Sequence, residues 1–455
     1  MIRKAVLASC VAAAAVLATG AAIAQRAPQQ VVTPPKASYW VSATTGSGLL
    51  GFAAPQGGER PGMMDGMRMA RQMMAGGGVS RQLQLDLGST LAPTGGAPKA
   101  EHTPAAALGV RGTLPLHTPT PAAPGQARPG EPERPRGRLL IYWGCGERAR
   151  AGQPVIIDFA RVAQGEWPTG LSAVTVNAPN PPSSRSHRTF GDWPNSIRPN
   201  GSVALPSTAS LLGEHVVRGN YAPDIRFTAA QDFMAPITFT TNEKTSSGAV
   251  NFAWSPVPTA TGYAGWTFGA KGDDIVFWST SESKAFGVFQ DYIPPAEVAR
   301  LVRERAVLAP TTTTCTVPKD VMDAIGANSG APDQRTGGGM LFFTAYGPEQ
   351  NIIYPERPAD VRTPWNQEYF VKIRHRSQTM QMLGQNMGDM SAGARGAQPQ
   401  MTAEERCRMQ REQQGSVGSS IGAATGIPGA GAIGGMIGRN RNKQKQPADP
   451  ACPPE

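Results

Sequence analysis

Residues 250–278 read VNFAWSPVPTATGYAGWTFGAKGDDIVFW, and this stretch decides the class of fold. Three runs rich in aromatic and β-branched residues, at 250–254, 263–268 and 274–278, are separated by turn residues. Short strands that recur about every ten residues are typical of a sandwich or a closed sheet. The sequence therefore predicts a mainly β protein with a β-sandwich-like body.

The same pattern continues on both sides of this stretch. Further strand-like runs lie at 138–145, 154–159, 215–217, 224–228, 237–240, 340–346 and 369–374. Two short helices interrupt them, one beginning at Pro294-Pro295 and one beginning at Pro318. We expect the strands at 37–43 and 79–88 to join the same body.

Glycine and proline divide the chain, because 53 Gly and 42 Pro are concentrated in a few segments of the 455 residues. Both residues are poor helix formers, and dense clusters of them are typical of loops and linkers. The predicted division is 1–24 signal peptide, 25–92 N-terminal strands with a Met/Gly-rich loop, 93–136 Pro-rich linker or loop, 137–377 β-rich main body, and 378–455 Met/Gly-rich tail with a helix at 403–414.

The first 24 residues have the pattern of a secretory signal. Arg3 and Lys4 precede an apolar run at 5–22, and a small-residue cleavage motif ends at Ala24. Cleavage there leaves 41 basic against 33 acidic side chains, a net charge of +8. We expect a periplasmic or outer-membrane location. The scattered basic residues argue against nucleic acid and favour anionic lipid, cell-wall polymer or another envelope protein as partner.

Four cysteines remain after cleavage, and an even number in an oxidising compartment predicts two disulfides. They are Cys145, Cys315, Cys407 and Cys452, which allow three pairings. We favour Cys145–Cys315 within the body and Cys407–Cys452 within the tail. Cys145 as a nucleophile is the alternative, but no histidine lies at a recognisable partner spacing.

The segment from Trp254 to Tyr263 resembles the strand B to strand C region of fibronectin type III domains. In that family a strand ends on a buried Trp, a Pro-containing turn follows, and Ala and Tyr open the next strand. The resemblance covers about 20 residues. It implies a β-sandwich of a kind that binds or spaces rather than catalyses. The helices expected within 295–326 depart from that family.

The tail carries glycines at four-residue spacing, which line one face of a helix and allow a second helix to approach closely. They are Gly418, Gly422, Gly426, Gly431 and Gly435, followed by the basic residues Arg439, Arg441, Lys443 and Lys445. The run at 415–438 resembles glycine-zipper segments of small bacterial surface antigens and outer-membrane lipoproteins. That resemblance implies envelope association and self-association. A flexible solvated tail is the alternative.

Methionine is the only candidate for metal binding, because thioethers select Cu(I). One cluster is Met63, Met64, Met67, Met69, Met73 and Met74, and a second is Met380, Met382, Met387 and Met390. Loose packing of adaptable side chains is the alternative interpretation. No cofactor is expected, since the Gly-x-Gly-x-x-Gly match at 429–434 has no following strand and acidic residue.

Four aromatic residues on predicted strands have two interpretations. Trp254, Trp266, Trp278 and Phe268 are expected in the core, with an exposed glycan-binding surface as the alternative. The leading hypothesis is a non-enzymatic envelope protein with a binding or structural role. The alternatives are a periplasmic hydrolase acting on envelope polymer and a Met-rich copper-binding protein.

Overall fold

The computed structural model describes residues 29–51, 78–118, 137–166, 172–194, 205–283, 285–286, 290–327 and 339–384. The protein is mainly β, with several sheets and little helix, which confirms the predicted fold class at this level. Within the described residues, no helix combines the length and the apolar character needed to cross a membrane.

The strands are β1 (Val32–Thr33), β2 (Ala37–Gly48), β3 (Ser80–Ser89), β4 (Ala100–Thr103), β5 (Leu114–Leu116), β6 (Arg138–Trp143), β7 (Val155–Asp158), β8 (Ser172–Ala173), β9 (Thr189–Trp193), β10 (Gly213–Gly219), β11 (Ile225–Ala229), β12 (Phe239–Lys244), β13 (Val250–Trp254), β14 (Gly262–Lys271), β15 (Asp274–Ser279), β16 (Ala285–Phe286), β17 (Thr314–Val317), β18 (Met340–Tyr354), β19 (Trp365–Asn366) and β20 (Tyr369–Met382). The α-helices are α1 (Phe159–Val162), α2 (Pro295–Arg303) and α3 (Lys319–Ala324).

One sheet organises the molecule, and we call it the long sheet. Its nine strands run in the order β7-β6-β15-β14-β18-β20-β2-β3-β9. A four-stranded sheet (β11-β10-β4-β5) and a three-stranded sheet (β12-β13-β17) complete the body, beside the two-stranded pairs β1-β19 and β8-β16. In the middle of the long sheet, β2 and β20 pair in parallel although they come from opposite ends of the described chain.

Both main cores lie on the same face of the long sheet, which we call the core face. The first core joins Tyr39, Val41 and Ile373 to the four-stranded sheet. The second joins Trp278 and Phe343 to the three-stranded sheet and α3. Because side chains alternate along a strand, the residues between these face the other way. We call that opposite side the outer face.

Residues 250–278 span the second core. β13 ends at Trp254 in the three-stranded sheet, and β14 begins at Gly262 in the long sheet. The Val257 N–H donates a 2.9 Å hydrogen bond to the Tyr263 hydroxyl, which fixes the turn between them. The wider likeness to fibronectin type III domains stays a prediction.

A disulfide between Cys145 and Cys315 crosses the second core, as predicted. Cys145 follows β6 of the long sheet, and Cys315 lies in β17 of the three-stranded sheet. The bond therefore ties the two sheets together across 170 residues of chain. Because the sulfur of Cys145 is bonded, the alternative of a Cys145 nucleophile is wrong for this structure.

The two expected helices are present, and α2 packs on the outer face. Val298 and Leu301 form a small core with Ala264 and Tyr346 there. The tetrapeptide α1 was not expected, since Phe159 had been placed in a strand; Asp158 caps it through the Ala160 N–H.

The structure differs from the expected linker at 93–136. The strands β4 and β5 lie within it and pair with each other. Leu114 and Leu116 are buried while Pro115 is exposed between them, so a short strand tolerates the proline. Likewise β9 lies within the stretch expected to be a connection at 176–206. The predicted signal peptide at 1–24 and the whole tail beyond 384 lie outside the described residues.

Candidate functional site

Several of the residues singled out from the sequence lie outside the described residues. They are Met63 to Met74, Met387, Met390, Cys407, Cys452, the glycines from Gly418 to Gly435 and the basic residues from Arg439 to Lys445. Met380 and Met382 lie in β20, opposite Phe342 and Met340 of β18. Among the described residues, no group of three or more His, Cys, Asp or Glu is arranged to hold a metal ion. The copper hypothesis rests on thioethers and stays a prediction.

The aromatic residues on predicted strands separate into two environments. Trp254 and Trp278 are buried at 2% and 0% exposure in the second core, where packing accounts for them. Trp266 and Phe268 are half-buried on the outer face. Only these last two are therefore open to the alternative role of contacting a ligand.

Three aromatic rings form a platform on the outer face, which we call the aromatic platform. The Trp266 and Phe342 rings stack with their centroids 3.9 Å apart. Phe268 meets Trp266 edge-on at 5.3 Å. The register places these residues on adjacent strands, Trp266 of β14 directly opposite Phe342 of β18. An open cleft of about 80 Å³ lies along the Trp266–Phe342 stack.

Polar side chains line the rest of this cleft. Besides Trp266 and Phe342, its lining includes Gln290, Asp291, Arg376 and Gln378. The guanidinium of Arg376 forms an ion pair with Asp291, and its Nε donates to Thr44 Oγ1 at 3.1 Å. The Arg376 side chain is 13% exposed and that of Asp291 is 75% exposed, so the pair spans from interior to solvent. The cleft thus combines ring surface with fixed hydrogen-bonding groups.

Cations occur at alternate positions of β20 and so share the outer face. They are Lys372, Arg374 and Arg376. Lys372 forms an ion pair with Glu349 of β18, and both side chains are close to 10% exposed, at 9% and 12%. A register shift between Tyr346 and Glu349 turns Glu349 onto this face. Gly347 permits the shift, since a Cβ there would lie 2.3 Å from the Met234 sulfur.

Arg374 is held between two aromatic rings. Its Cζ lies 5.0 Å from the Trp40 ring centroid and 4.2 Å from that of Tyr292. Its Nε donates to Ser42 Oγ at 2.7 Å. Tyr292 is fixed in turn by a 2.6 Å hydrogen bond between its hydroxyl and Thr44 Oγ1. Burial lowers the pKa of Arg374, as expected for a cation removed from water.

Two carboxyl groups lie opposite each other on the outer face, Asp86 of β3 and Asp192 of β9. Asp86 is 3% exposed, and its Oδ2 has no hydrogen-bond partner among the described residues. Burial raises the pKa of Asp86 to about 7, with Gln84 and Arg374 opposing the rise and Asp192 adding to it. This group therefore changes charge near neutral pH.

Two buried histidines, His102 and His215, pack against Tyr39 and Phe227 of the first core. His215 Nε2 donates to the Leu211 carbonyl at 2.7 Å, so its Nδ1 accepts from His102 Nε2 at 3.0 Å. His102 Nδ1 then accepts from the Tyr39 hydroxyl at 2.6 Å. Both rings are neutral and fully bonded in this arrangement. Burial lowers the pKa of His102 to about 3, and we assign the chain of bonds a structural role.

Sequence reasoning named Trp266 as a core residue with glycan binding as the alternative, and that alternative stays a prediction; it did not identify the other residues that line the cleft. A signal for the cations was present, because Lys372, Arg374 and Arg376 alternate within a strand-like run. Asp86 and Asp192 carry no local signal, since only the β3–β9 pairing brings them together.

The chain matches no protein-family model, no curated protein and no solved structure. The aromatic platform and the polar groups beside it, through their ring geometry, charge and burial, are therefore the features that point to a function.

Proposed function

We propose that this is a secreted, non-enzymatic envelope protein that binds a glycan chain in the cleft beside the aromatic platform. The observation that carries the proposal is the stacked pair Trp266 and Phe342, half-buried beside Arg376, Asp291 and Gln378. Ligand sites typically combine ring surface with a small number of fixed polar groups.

A sugar ring matches this combination chemically. Its C–H groups pack on an aromatic face, and its hydroxyls exchange hydrogen bonds with charged and amide side chains. The cleft is open along the sheet, which suits a chain that enters and leaves. A lipid acyl chain would not use the Arg376–Asp291 ion pair, so cell-wall polymer is favoured over lipid as the partner.

The proposed location rests on the sequence of residues 1–24 and is supported by the Cys145–Cys315 disulfide. Disulfides persist in oxidising compartments such as the periplasm. The glycine run at 415–438 would add contact with the membrane surface or with a second copy. Deleting residues 401–455 should then release the protein from a membrane fraction, and unchanged fractionation would contradict that part of the proposal.

Binding of a soluble disaccharide, N-acetylglucosaminyl-N-acetylmuramic acid with a free lactyl carboxylate, tests the cleft by calorimetry. We expect Trp266→Ala to weaken binding at least about tenfold, equivalent to about 1.4 kcal/mol. Val361→Ala is the control, because Val361 is an exposed apolar residue that does not line the cleft. This variant should bind the disaccharide as the wild type does.

Absence of saccharide binding by the wild type would sink the proposal, as would full binding by Trp266→Ala. Binding to vesicles of anionic lipid with the saccharide excluded would point instead to the lipid alternative. A second envelope protein competing for the cleft would point to the protein alternative.

A hydrolase is the second candidate, and one observation favours it. The carboxyl of Asp86, whose pKa burial raises to about 7, lies opposite Asp192, and paired carboxyls cleave glycosidic bonds in many enzymes. Both groups lie on β3 and β9, several strands from the platform on β14 and β18. Release of reducing ends from peptidoglycan, lost in Asp86→Asn, would establish this candidate over the first.

A further inference from the structure

Three methionines lie together on the outer face, where β18 begins and β20 ends. The register of the two strands places Met340 directly opposite Met382. Met380 lies two residues before Met382 on β20, so its side chain points to the same face. All three side chains are half-buried. The fold thus joins one methionine from β18 to two from its neighbouring strand.

The sulfurs of these three residues are able to reach one common point. In an antiparallel pair the Cβ atoms of opposite residues lie about 5 Å apart, and those of diagonal neighbours about 7 Å apart. Metal–sulfur bonds of about 2.3 Å place the sulfurs of a three-coordinate ion about 4 Å apart. A methionine sulfur lies two bonds beyond Cβ on an unbranched, adaptable side chain, so the three sulfurs can close that difference.

The strand neighbours of these methionines supply no competing ligand. Met340 lies beside Phe268 of β14, and Met380 lies between Phe342 of β18 and Gly48 of β2. None of these three neighbours carries a carboxylate, an imidazole or a thiol. The two rings present apolar edges and π faces beside the sulfurs, which disfavours a strongly hydrated ion and accommodates a weakly hydrated cation.

A soft monovalent cation matches this set of groups. Neutral thioethers select Cu(I), whereas Ca²⁺ and Mg²⁺ require oxygen ligands and Zn²⁺ prefers thiolate, imidazole or carboxylate. A single positive charge also costs less than a double one in a half-buried site without carboxylates. The sulfurs of Cys145 and Cys315 are bonded to each other, so they do not compete for the ion as thiolates.

We infer that Met340, Met380 and Met382 bind one Cu(I) ion through their thioether sulfurs. This site differs from the methionine cluster read from the sequence, because strand pairing adds Met340 to it. The inference does not depend on the proposed glycan site, since the ion needs no sugar and no group of the cleft. Failure of saccharide binding would leave it standing.

NMR of the full chain, labelled with ¹³C in the methionine methyl groups, tests this inference. Each methyl resonance is assigned by substituting its methionine with Leu. Cu(I) is added with ascorbate, which keeps the ion reduced while the disulfide stays intact. We expect the methyl resonances of Met340, Met380 and Met382 to shift with one common affinity, and Zn²⁺ at the same concentration to leave them unchanged.

Met340→Leu removes the sulfur that β18 contributes and nearly conserves the side-chain volume. It should weaken the Cu(I) affinity measured at Met380 and Met382 at least about tenfold. Met322→Leu is the matched control, because it removes a thioether that is 2% exposed in the second core. That variant should keep the wild-type affinity. Met382→Leu, measured at Met340 and Met380, carries the test if Met340→Leu fails to fold.

Three results would each overturn the copper site. The first is a Cu(I) response confined to other methionines. The second is a Zn²⁺ response at these three methyl groups equal to that for Cu(I). The third is an affinity at Met380 and Met382 that Met340→Leu leaves unchanged.

Discussion

Replacing Asp86 by Asn should stabilise the protein, and the gain should grow with pH. Burial raises the pKa of Asp86 from 3.8 to about 7. Because the pKa of Asp86 is higher in the folded than in the unfolded state, the protonated carboxyl contributes its full stability to the folded protein below about pH 4. This contribution to the free energy of unfolding is lost as the pH rises through about 7. Three pKa units at about 1.4 kcal/mol each correspond to about 4 kcal/mol.

The structure explains why the cost is this large. Within the part of the chain that the structure describes, Asp86 Oδ2 has no hydrogen-bond partner, and the Gln84 amide is 3.3 Å from Oδ1. Arg374 favours the charged form only from a distance, and Asp192 disfavours it. Asn has the shape of the protonated acid and carries no charge at any pH. Its carboxamide should therefore match the wild type near pH 4 and exceed it at pH 8.5.

Urea unfolding, followed by tryptophan fluorescence from pH 4 to 8.5 with the disulfide intact, measures the difference. Other titrating groups act equally in both proteins and cancel in the comparison. Asp224→Asn is the control, because that carboxyl is 59% exposed and its removal should change stability by less than about 0.5 kcal/mol. A difference between wild type and Asp86→Asn that stays constant with pH would refute the reasoning.

Two further predictions concern the buried His102 and the disulfide. Burial lowers the pKa of His102 to about 3, so NMR of its ring should show a neutral imidazole at pH 5. A protonated ring at that pH would contradict the hydrogen-bonded chain from Tyr39 to Leu211. Reducing Cys145–Cys315, which closes a separation of 170 residues, should lower the free energy of unfolding by up to about 5 kcal/mol; denaturation curves that coincide with and without reductant would contradict this.

The local elements of the fold could be predicted from the sequence. Runs of aromatic and β-branched residues predict the strands at 250–254 and 274–278. Prolines predict where α2 and α3 begin. The Cys145–Cys315 pairing followed from the division between body and tail. These predictions use information that lies within about ten residues of each element.

The long sheet could not be predicted in this way. At its centre the strand Ala37–Gly48 pairs with the strand Tyr369–Met382. Neither segment contains a sequence signal that identifies the other as its pairing partner. The strands β4 and β5 were missed because they are short and lie in a Pro-rich stretch. Pairing of β4 with β10, and of β5 with β4, stabilises them. The polar groups of the outer face could not be predicted for the same reason. Trp40, Asp86 and Arg374 lie on three different strands, and only the pairing register places them next to one another.

The most direct measurement labels every tryptophan with 5-fluorotryptophan and follows the eight tryptophan side chains by fluorine NMR. Substituting Trp266 by Phe assigns its resonance. Titration with N-acetylglucosaminyl-N-acetylmuramic acid should shift the Trp266 resonance and leave the buried Trp254 and Trp278 unchanged. A Trp266 resonance that stays fixed while the sugar binds would contradict a glycan site on the aromatic platform.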